Sequence, residues 1–259
     1  MRILLSNDDG IFSPGLAALR GAVADLGKIE VVAPASPQSA AGHAITLRTP
    51  LTVQRVRLGA GEGGFDAFSV DGRPADCVRL AVRSLLSEPV DLVLSGINAG
   101  TNVGINVFYS GTVAAAAEAA MLGLPAVAFS AEIADGQADF AAAARLCRWV
   151  LDQLLSARIS PGQLVNVNIP ALGPGRPVGV KVIHQSISGL EDIYHRHEAA
   201  DGTVSYKLGD EYRFIESEAA SDASCLAEGY ITVTPLKVDM TDYARLEELS
   251  RHPWPTTPK

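Results

Sequence analysis

The chain has 259 residues, 47% hydrophobic and 19% charged, which gives enough apolar content for one large core and too little charge for a disordered chain. Its formal net charge of −8 excludes a general binder of nucleic acid or anionic membrane, because both need a positive field. Cys77, Cys147 and Cys225 form no CxxC pair, so neither a zinc site nor a disulfide framework is expected, and a reducing compartment fits.

Strand and helix patterns alternate along the chain. Residues 2–6 read as a strand. "PGLAALRGAVADLG" follows as a helix, with Pro14 at its start and Gly27 as its stop. "IEVVAP" (29–34) and "FDAFSVDG" (65–72) read as strands, and "PADCVRLAVRSLL" (74–86) as a helix. "VDLVLSG" (90–96) is an apolar strand. "TVAAAAEAAMLG" is a helix, "PAVAFS" (125–130) a strand, "DFAAAARLCRWVLDQLL" (139–155) the longest clear helix, and "LVNVNIP" (164–170) a strand. Apolar strands alternating with helices predict an α/β, Rossmann-like, doubly wound fold with a mostly parallel sheet, over residues 1–178.

Beyond that point the pattern changes. "VKVIHQSI", "TVSYKLG", "EYRFIE" and "GYITVTPL" (229–236) read as strands joined by turns, notably Asp201-Gly202. Residues 179–259 are therefore read as a β-rich extension, a protruding hairpin with unpaired edges suited to forming a homodimer or homotetramer. The tail "RHPWPTTPK" is expected to be poorly ordered. The apolar run at the N-terminus ends at Asn7, too short for a secretory signal. The Ala-rich stretch after Gly111 is interrupted by Glu118 and followed by Pro125, which is unlike a membrane span. A cytoplasmic protein is expected, with no membrane and no nucleic-acid polymer among its partners.

Four segments could carry chemistry. Asp8 and Asp9 stand at the carboxyl end of the first strand, where sites form in such sheets, and Gly10 lets the chain turn so that both carboxylates face one place. Two adjacent anions favour a divalent cation, and oxygen ligands point to Mg²⁺ or Mn²⁺. The competing reading is an Asx-type turn with solvated carboxylates. "SPQSAAGHAIT" (36–46) is a loop of small residues able to lie across a site, with Ser39 as a neutral oxygen ligand and His43 as a donor to phosphate; a plain polar loop is the alternative. From Gly96 to Asn106 every second residue is Gly or Asn, which predicts a loop with available amides, Asn98 and Asn102 among them. It lacks the spacing of a dinucleotide or P-loop site. "SGT" (110–112) opens the Ala-rich helix, with Ser110 as its N-cap, and free amides at a helix start suit a phosphate.

Together these suggest one divalent cation held by Asp8, Asp9, Ser39 and Asn98, with a phosphate near Asn102 and Ser110, Gly111 and Thr112. The chemistry expected is hydrolysis of a phosphomonoester by an activated water. A receiver domain also opens on a strand and an acidic pair, but its phosphoacceptor carboxylate is missing here, where Gly96 follows Ser95. Haloacid-dehalogenase phosphatases need carboxylates one residue apart, which adjacent Asp8-Asp9 does not supply. A non-enzymatic nucleotide-binding or scaffold protein is the remaining alternative.

"ILLSNDDG", "VVAP" with "QSAAGHAIT", "GRPADCV", "DLVLSGINAGTNVG", "YSGTVAAAAEA", "NVNIP" and "EGYITVTPL" resemble, in the same order, the survival protein SurE family. The resemblance implies a metal-dependent, acid-phosphatase-like nucleotidase acting on nucleoside 5′- and 3′-monophosphates, with polyphosphate as a further substrate. It implies a Rossmann-like core, and dimers or tetramers with swapped C-terminal segments. Family metal ligands carry over to Asp8, Asp9, Ser39 and Asn98, and the phosphate-binding segment to Ser110, Gly111 and Thr112. Two departures stand out: Arg73 where the family commonly has Thr, and Val113-Ala114-Ala115 where Val-Gly or Val-Ser is frequent. The segment "HRHEAADGTVSYKLGDEYRF" matches weakly.

Overall fold

A computed structural model describes residues 1–59, 64–133, 138–187, 190–191, 193–209, 213–214 and 219–254. The elements in chain order are β1 (Arg2–Ser6), α1 (Pro14–Val23), β2 (Lys28–Pro34), β3 (Val53–Leu58), β4 (Phe65–Val70), α2 (Pro74–Leu80), β5 (Leu92–Ala99), α3 (Gly111–Met121), β6 (Ala126–Ala131), α4 (Phe140–Ala157) and β7 (Leu164–Ile169). After these come β8 (Gly179–Val182), β9 (Leu190–Glu191), β10 (Tyr194–Glu198), β11 (Val204–Leu208), β12 (Arg213–Phe214), α5 (Asp222–Ala227), β13 (Tyr230–Leu236) and α6 (Tyr243–Ser250).

Nine strands form one sheet in the order β3-β4-β2-β1-β5-β6-β7-β13-β8. From β4 to β7 every pair is parallel, while β3 joins β4 and β13 joins β7 antiparallel. The α/β, mostly parallel fold read from the sequence is the one observed. The sheet does not stop at residue 178: β13 and β8 extend it, so the later segment contributes to the core as well as to an outlying hairpin.

Successive residues of β1 point to opposite faces, which decides the layering. Ile3 and Leu5 join a core with Leu16, Leu19, Phe129 and Leu151, beneath α1 and α4. Leu4 joins the other core, with Val32, Val78, Val93, Ala115 and Ala119, beneath α2 and α3. The run of alanines lets α3 lie close to the sheet. Cys77, Cys147 and Cys225 are buried free thiols. Burial pushes the Cys77 and Cys147 thiols far up, which keeps them out of thiolate chemistry.

Several elements differ from expectation. The Gly/Asn stretch is not wholly a loop: β5 runs on to Ala99, and residues 104–108 form a 3₁₀ turn. A shift of register between Ser95 and Asn98 absorbs the glycine, and a Cβ at Gly96 would stand 2.2 Å from the Phe129 carbonyl oxygen. β3, α5 and α6 are additional elements. The second helix ends at Leu80 and gives way to a wider π-type turn over Ala81–Leu85. β10 and β11 form an exposed antiparallel hairpin closed at Asp201-Gly202, where Gly202 has φ +83°. The expected disorder of the tail lies, for residues 255–259, outside the described residues. Among the described residues, no helix is long and apolar enough to cross a membrane.

Candidate active site

The site grows from the end of β1. Asn7 is fully buried, and its Nδ2 donates to the Gly10 carbonyl at 3.0 Å and to Ser13 Oγ at 2.7 Å. Ser13 Oγ also caps α1, accepting from the Leu16 amide at 3.3 Å. The stretch Asn7–Ser13 is thereby closed into a fixed turn that holds both aspartates at the carboxyl edge of the sheet. Register does the rest. Ser6 pairs with Ser95 at the end of β1, and beyond it the Ala99 amide bonds Asp9, which brings Asp9 beside the end of β5 that carries Asn98.

Asp8 faces α3. Thr112 Oγ1 donates a short hydrogen bond to its Oδ1, and the backbone amides of Thr112 and Gly111 also act on it. Gly111 is needed here because a Cβ would lie 2.6 Å from Asp8 Cβ and 3.0 Å from Oδ2. Asp9 instead accepts from the Ala99 amide at 3.2 Å. Asn98 donates through Nδ2 to the Gly100 carbonyl at 2.8 Å, which leaves its Oδ1 as an oxygen donor to a cation.

Both aspartates have raised pKa values. For Asp8 the cause is burial, which outweighs its hydrogen bonds. For Asp9 it is burial first and then the charge of Asp8. No side-chain cation bonds either carboxylate among the described residues. Nor do three or more His, Cys, Asp or Glu side chains gather there into a metal cluster among those residues. The donor set is therefore two desolvated carboxylates plus neutral oxygens. Such a set fits a hard divalent cation, whose charge would relieve the repulsion, and does not suit Zn²⁺.

The loop carrying Ser39 is stapled down along its length. Gln38 N–H donates to the Asp8 carbonyl at 2.8 Å. Gly42 N–H donates to the Tyr109 carbonyl at 2.9 Å, and the Thr46 amide and hydroxyl donate to Asp76 at 2.9 and 2.7 Å. Ser39 itself is exposed, one residue beyond the Gln38 anchor. Arg73, the departure noted above, donates to Gln38 Oε1 at 2.6 Å and so braces the same loop.

His43 does not point to an open phosphate position. Its Nε2 donates to Glu118 Oε2 at 2.9 Å, and Glu118, 1% exposed, also accepts from Arg79 at 2.7 Å. Burial acts to raise the Glu118 carboxyl, but the bonds from His43 and Arg79 outweigh it and hold it below its ordinary range. A carboxyl with a lowered folded pKa stabilises the fold above its unfolded value of about 4.3, and that contribution is lost as pH falls through the folded value. Glu118→Gln is expected to flatten the dependence of Tm on pH below about 4.3. Thermal unfolding across that range checks it, and an unchanged slope would mean the clamp adds nothing.

Ser110 caps α3, its Oγ accepting from the Val113 amide at 3.0 Å, as the sequence suggests. Ser110 Oγ accepts in this bond, so its O–H proton stays free to donate, whereas the Thr112 hydroxyl and the Gly111 and Thr112 amides are turned to Asp8. Asn102 is buried and acts as a bolt: its Nδ2 donates to Ser130 Oγ at 2.8 Å, its amide to Asn168 Oδ1 at 2.8 Å, and its carbonyl accepts from Asn166 Nδ2 at 2.7 Å. It holds the loop, with one of its two amide protons given to Ser130.

Sequence reasoning did not single out these supports. Asn166 and Asn168 stand as polar residues inside the otherwise apolar strand "LVNVNI", and Glu118 as the lone acid of an alanine helix; each was a visible signal. Asp222 is a further one. It is fully buried and accepts from the amides of Gly104 at 3.0 Å and Ser186 at 2.8 Å, tying the later segment to the site loop.

The family profile described as "Survival protein SurE" matches residues 3–192. The chain belongs to this family. It is 43% identical over 249 residues to "5′-nucleotidase SurE" of Desulfatibacillum aliphaticivorans, covering 96% of this chain and 97% of that one. It is 44% identical over 250 residues to "5′-nucleotidase SurE 1" of Thermus thermophilus, with the same coverage. The crystal structure of the SurE protein from Aquifex aeolicus superposes with a TM-score of 0.81 at 36% identity, covering 96% of this chain and 98% of that one. The SurE fold, with its sheet and flanking helices, is thus common to both.

Proposed function

We propose that the chain is a divalent-cation-dependent nucleotidase that hydrolyses nucleoside 5′- and 3′-monophosphates to nucleoside and phosphate. The observation that carries this reading is the pair of burial-raised carboxylates, Asp8 and Asp9, set against the amides that open α3, with no side-chain cation bonded to them among the described residues. The names of the SurE relatives support the substrate class.

Asp8, Asp9, Asn98 Oδ1 and, through its loop, Ser39 would hold the cation. When bound, that cation supplies charge for a phosphoryl oxygen and acidity to a water. The chain's own groups do the rest. Thr112 fixes one Asp8 oxygen, and the Ala99 amide fixes one of Asp9, so neither carboxylate must reorganise during the reaction. The start of α3 offers an anion the positive end of its helix dipole and the Ser110 hydroxyl proton, while its Gly111 and Thr112 amides hold Asp8. Gly111 keeps that approach open.

The test is phosphate release from nucleoside monophosphates after chelator treatment, with Mg²⁺ or Mn²⁺ returned. Polyphosphate, the other substrate class the sequence resemblance implies, belongs in the same panel. Release that stops with chelation and returns with cation is expected; no release with any cation would refute the reading. We further propose assembly into a homodimer or homotetramer. Tyr194, Tyr206, Tyr243, Leu246 and Trp254 are all exposed on β10, β11 and the α6 segment, apolar surface that a second copy would cover. Sedimentation as a monomer at micromolar concentration would contradict this.

A further inference from the structure

A cleft of about 360 Å³ opens beside Asp9, walled by Phe12, Pro14, Pro37, Ala99 and Phe140. We propose that it is the nucleobase subsite, with the Phe12 ring stacked on the base; this rests on the nucleotidase reading above. Four observations carry it.

The first is Phe12 itself, 72% exposed, on a turn that is otherwise locked. The Ile11 amide donates to the Pro34 carbonyl at 2.8 Å and the Ser13 amide to the Gly10 carbonyl at 3.0 Å, while Ile11 is buried beneath. The turn buries one apolar neighbour and holds the phenyl ring out, three residues from Asp9. An exposed ring on a rigid turn beside a catalytic carboxylate is a ready stacking surface.

Second, Phe140 also lines the cleft, from the start of α4. It can do so because Gly15 has no side chain: a Cβ there would lie 2.9 Å from Phe140 Cε1 and 2.0 Å from the Ile97 carbonyl oxygen. Third, no Lys, Arg or His lines the cleft among the described residues. A second phosphate would find no counter-charge, whereas the flat faces of a base need none. Fourth, the volume is at the small end of ligand pockets, which suits one nucleoside and not a polymer. The geometry is also divided correctly. Asp8 faces α3, where the phosphate group would lie, and Asp9 faces the cleft, so a ribose between them would carry the base into it.

The experiment compares a purine nucleoside 5′-monophosphate with ribose 5-phosphate, which has the same phosphoryl group and sugar but no base. Base stacking on an aromatic side chain is worth about tenfold in binding. Phe12→Ala is expected to lower the ratio of kcat/KM for nucleotide over ribose 5-phosphate about tenfold, chiefly through KM, while Phe12→Tyr retains it. In parallel, calorimetry with adenosine and metal-free protein is expected to show binding that Phe12→Ala weakens. An unchanged ratio, or adenosine binding unaffected by Phe12→Ala, would overturn the proposal. Should the wild type bind adenosine through Phe12 yet release no phosphate from either ester, the subsite stands and the nucleotidase reading falls.

Discussion

Asp8→Asn and Asp9→Asn are each expected to lower turnover of a nucleoside monophosphate by about two orders of magnitude or more, equivalent to about 2.7 kcal/mol of transition-state stabilisation. The fold should not suffer. Both carboxylates are raised by burial, so ionising them opposes folding while no cation is present, and a neutral amide removes that cost. In chelator the two variants should therefore melt at or above the wild-type temperature. Added Mn²⁺ should raise the Tm of the wild type by preferential binding to the folded state and leave the variants nearly unmoved. Wild-type turnover in both variants, or an equal Mn²⁺ shift in all three proteins, would remove these residues from the site.

Gly111→Ala is expected to have the second largest effect. The added Cβ would lie 2.6 Å from Asp8 Cβ, 3.0 Å from Asp8 Oδ2 and 3.0 Å from Pro74 Cγ. The first contact is far inside van der Waals distance, and Asp8 cannot swing away without leaving Thr112. Overpacking of this kind costs about 1–3 kcal/mol in stability. Displacing Asp8 from the helix start should cost more in activity, about a hundredfold in kcat, since an error of an ångström in a reacting site has that scale. Far-UV circular dichroism and steady-state kinetics on the same preparation separate the two effects. Alanine favours helix over glycine by about 1 kcal/mol, so a variant that was only more stable and fully active would show that Asp8 and α3 need not touch.

The parts of the fold set by continuous apolar runs were legible in the sequence. β1, β6 and β7, and most of β5, are buried on both faces, as β2 is from Val31 on, and Pro14 and Ser110 mark helix starts by local chemistry alone. Edge elements were not legible. β3 is half exposed and polar, and α5 has only six residues. Gly96 suggested a loop where β5 continues, because it serves a bulge whose partner, Phe129, is more than thirty residues away.

The site divides in the same way. Asp8, Asp9, Asn98 and the start of α3 could be named from residue type and position at strand or helix ends. Their mutual geometry could not, because it depends on the β1–β5 register and on contacts such as Thr112 with Asp8, over a hundred residues apart. The partners of Asn102 are hidden for the same reason: an amide in a glycine loop has none in view until β6 and β7 bring Ser130 and Asn168 to it.

The central claim is that two segments distant in sequence cage a hard divalent cation at the tip of α3. Diffraction from crystals grown with Mn²⁺, recorded at the manganese absorption edge, tests it most directly. The expected result is one anomalous peak per chain within coordination distance of Asp8, Asp9 and Asn98 Oδ1. An ordered manganese elsewhere, with both aspartates turned to bulk water, would contradict it.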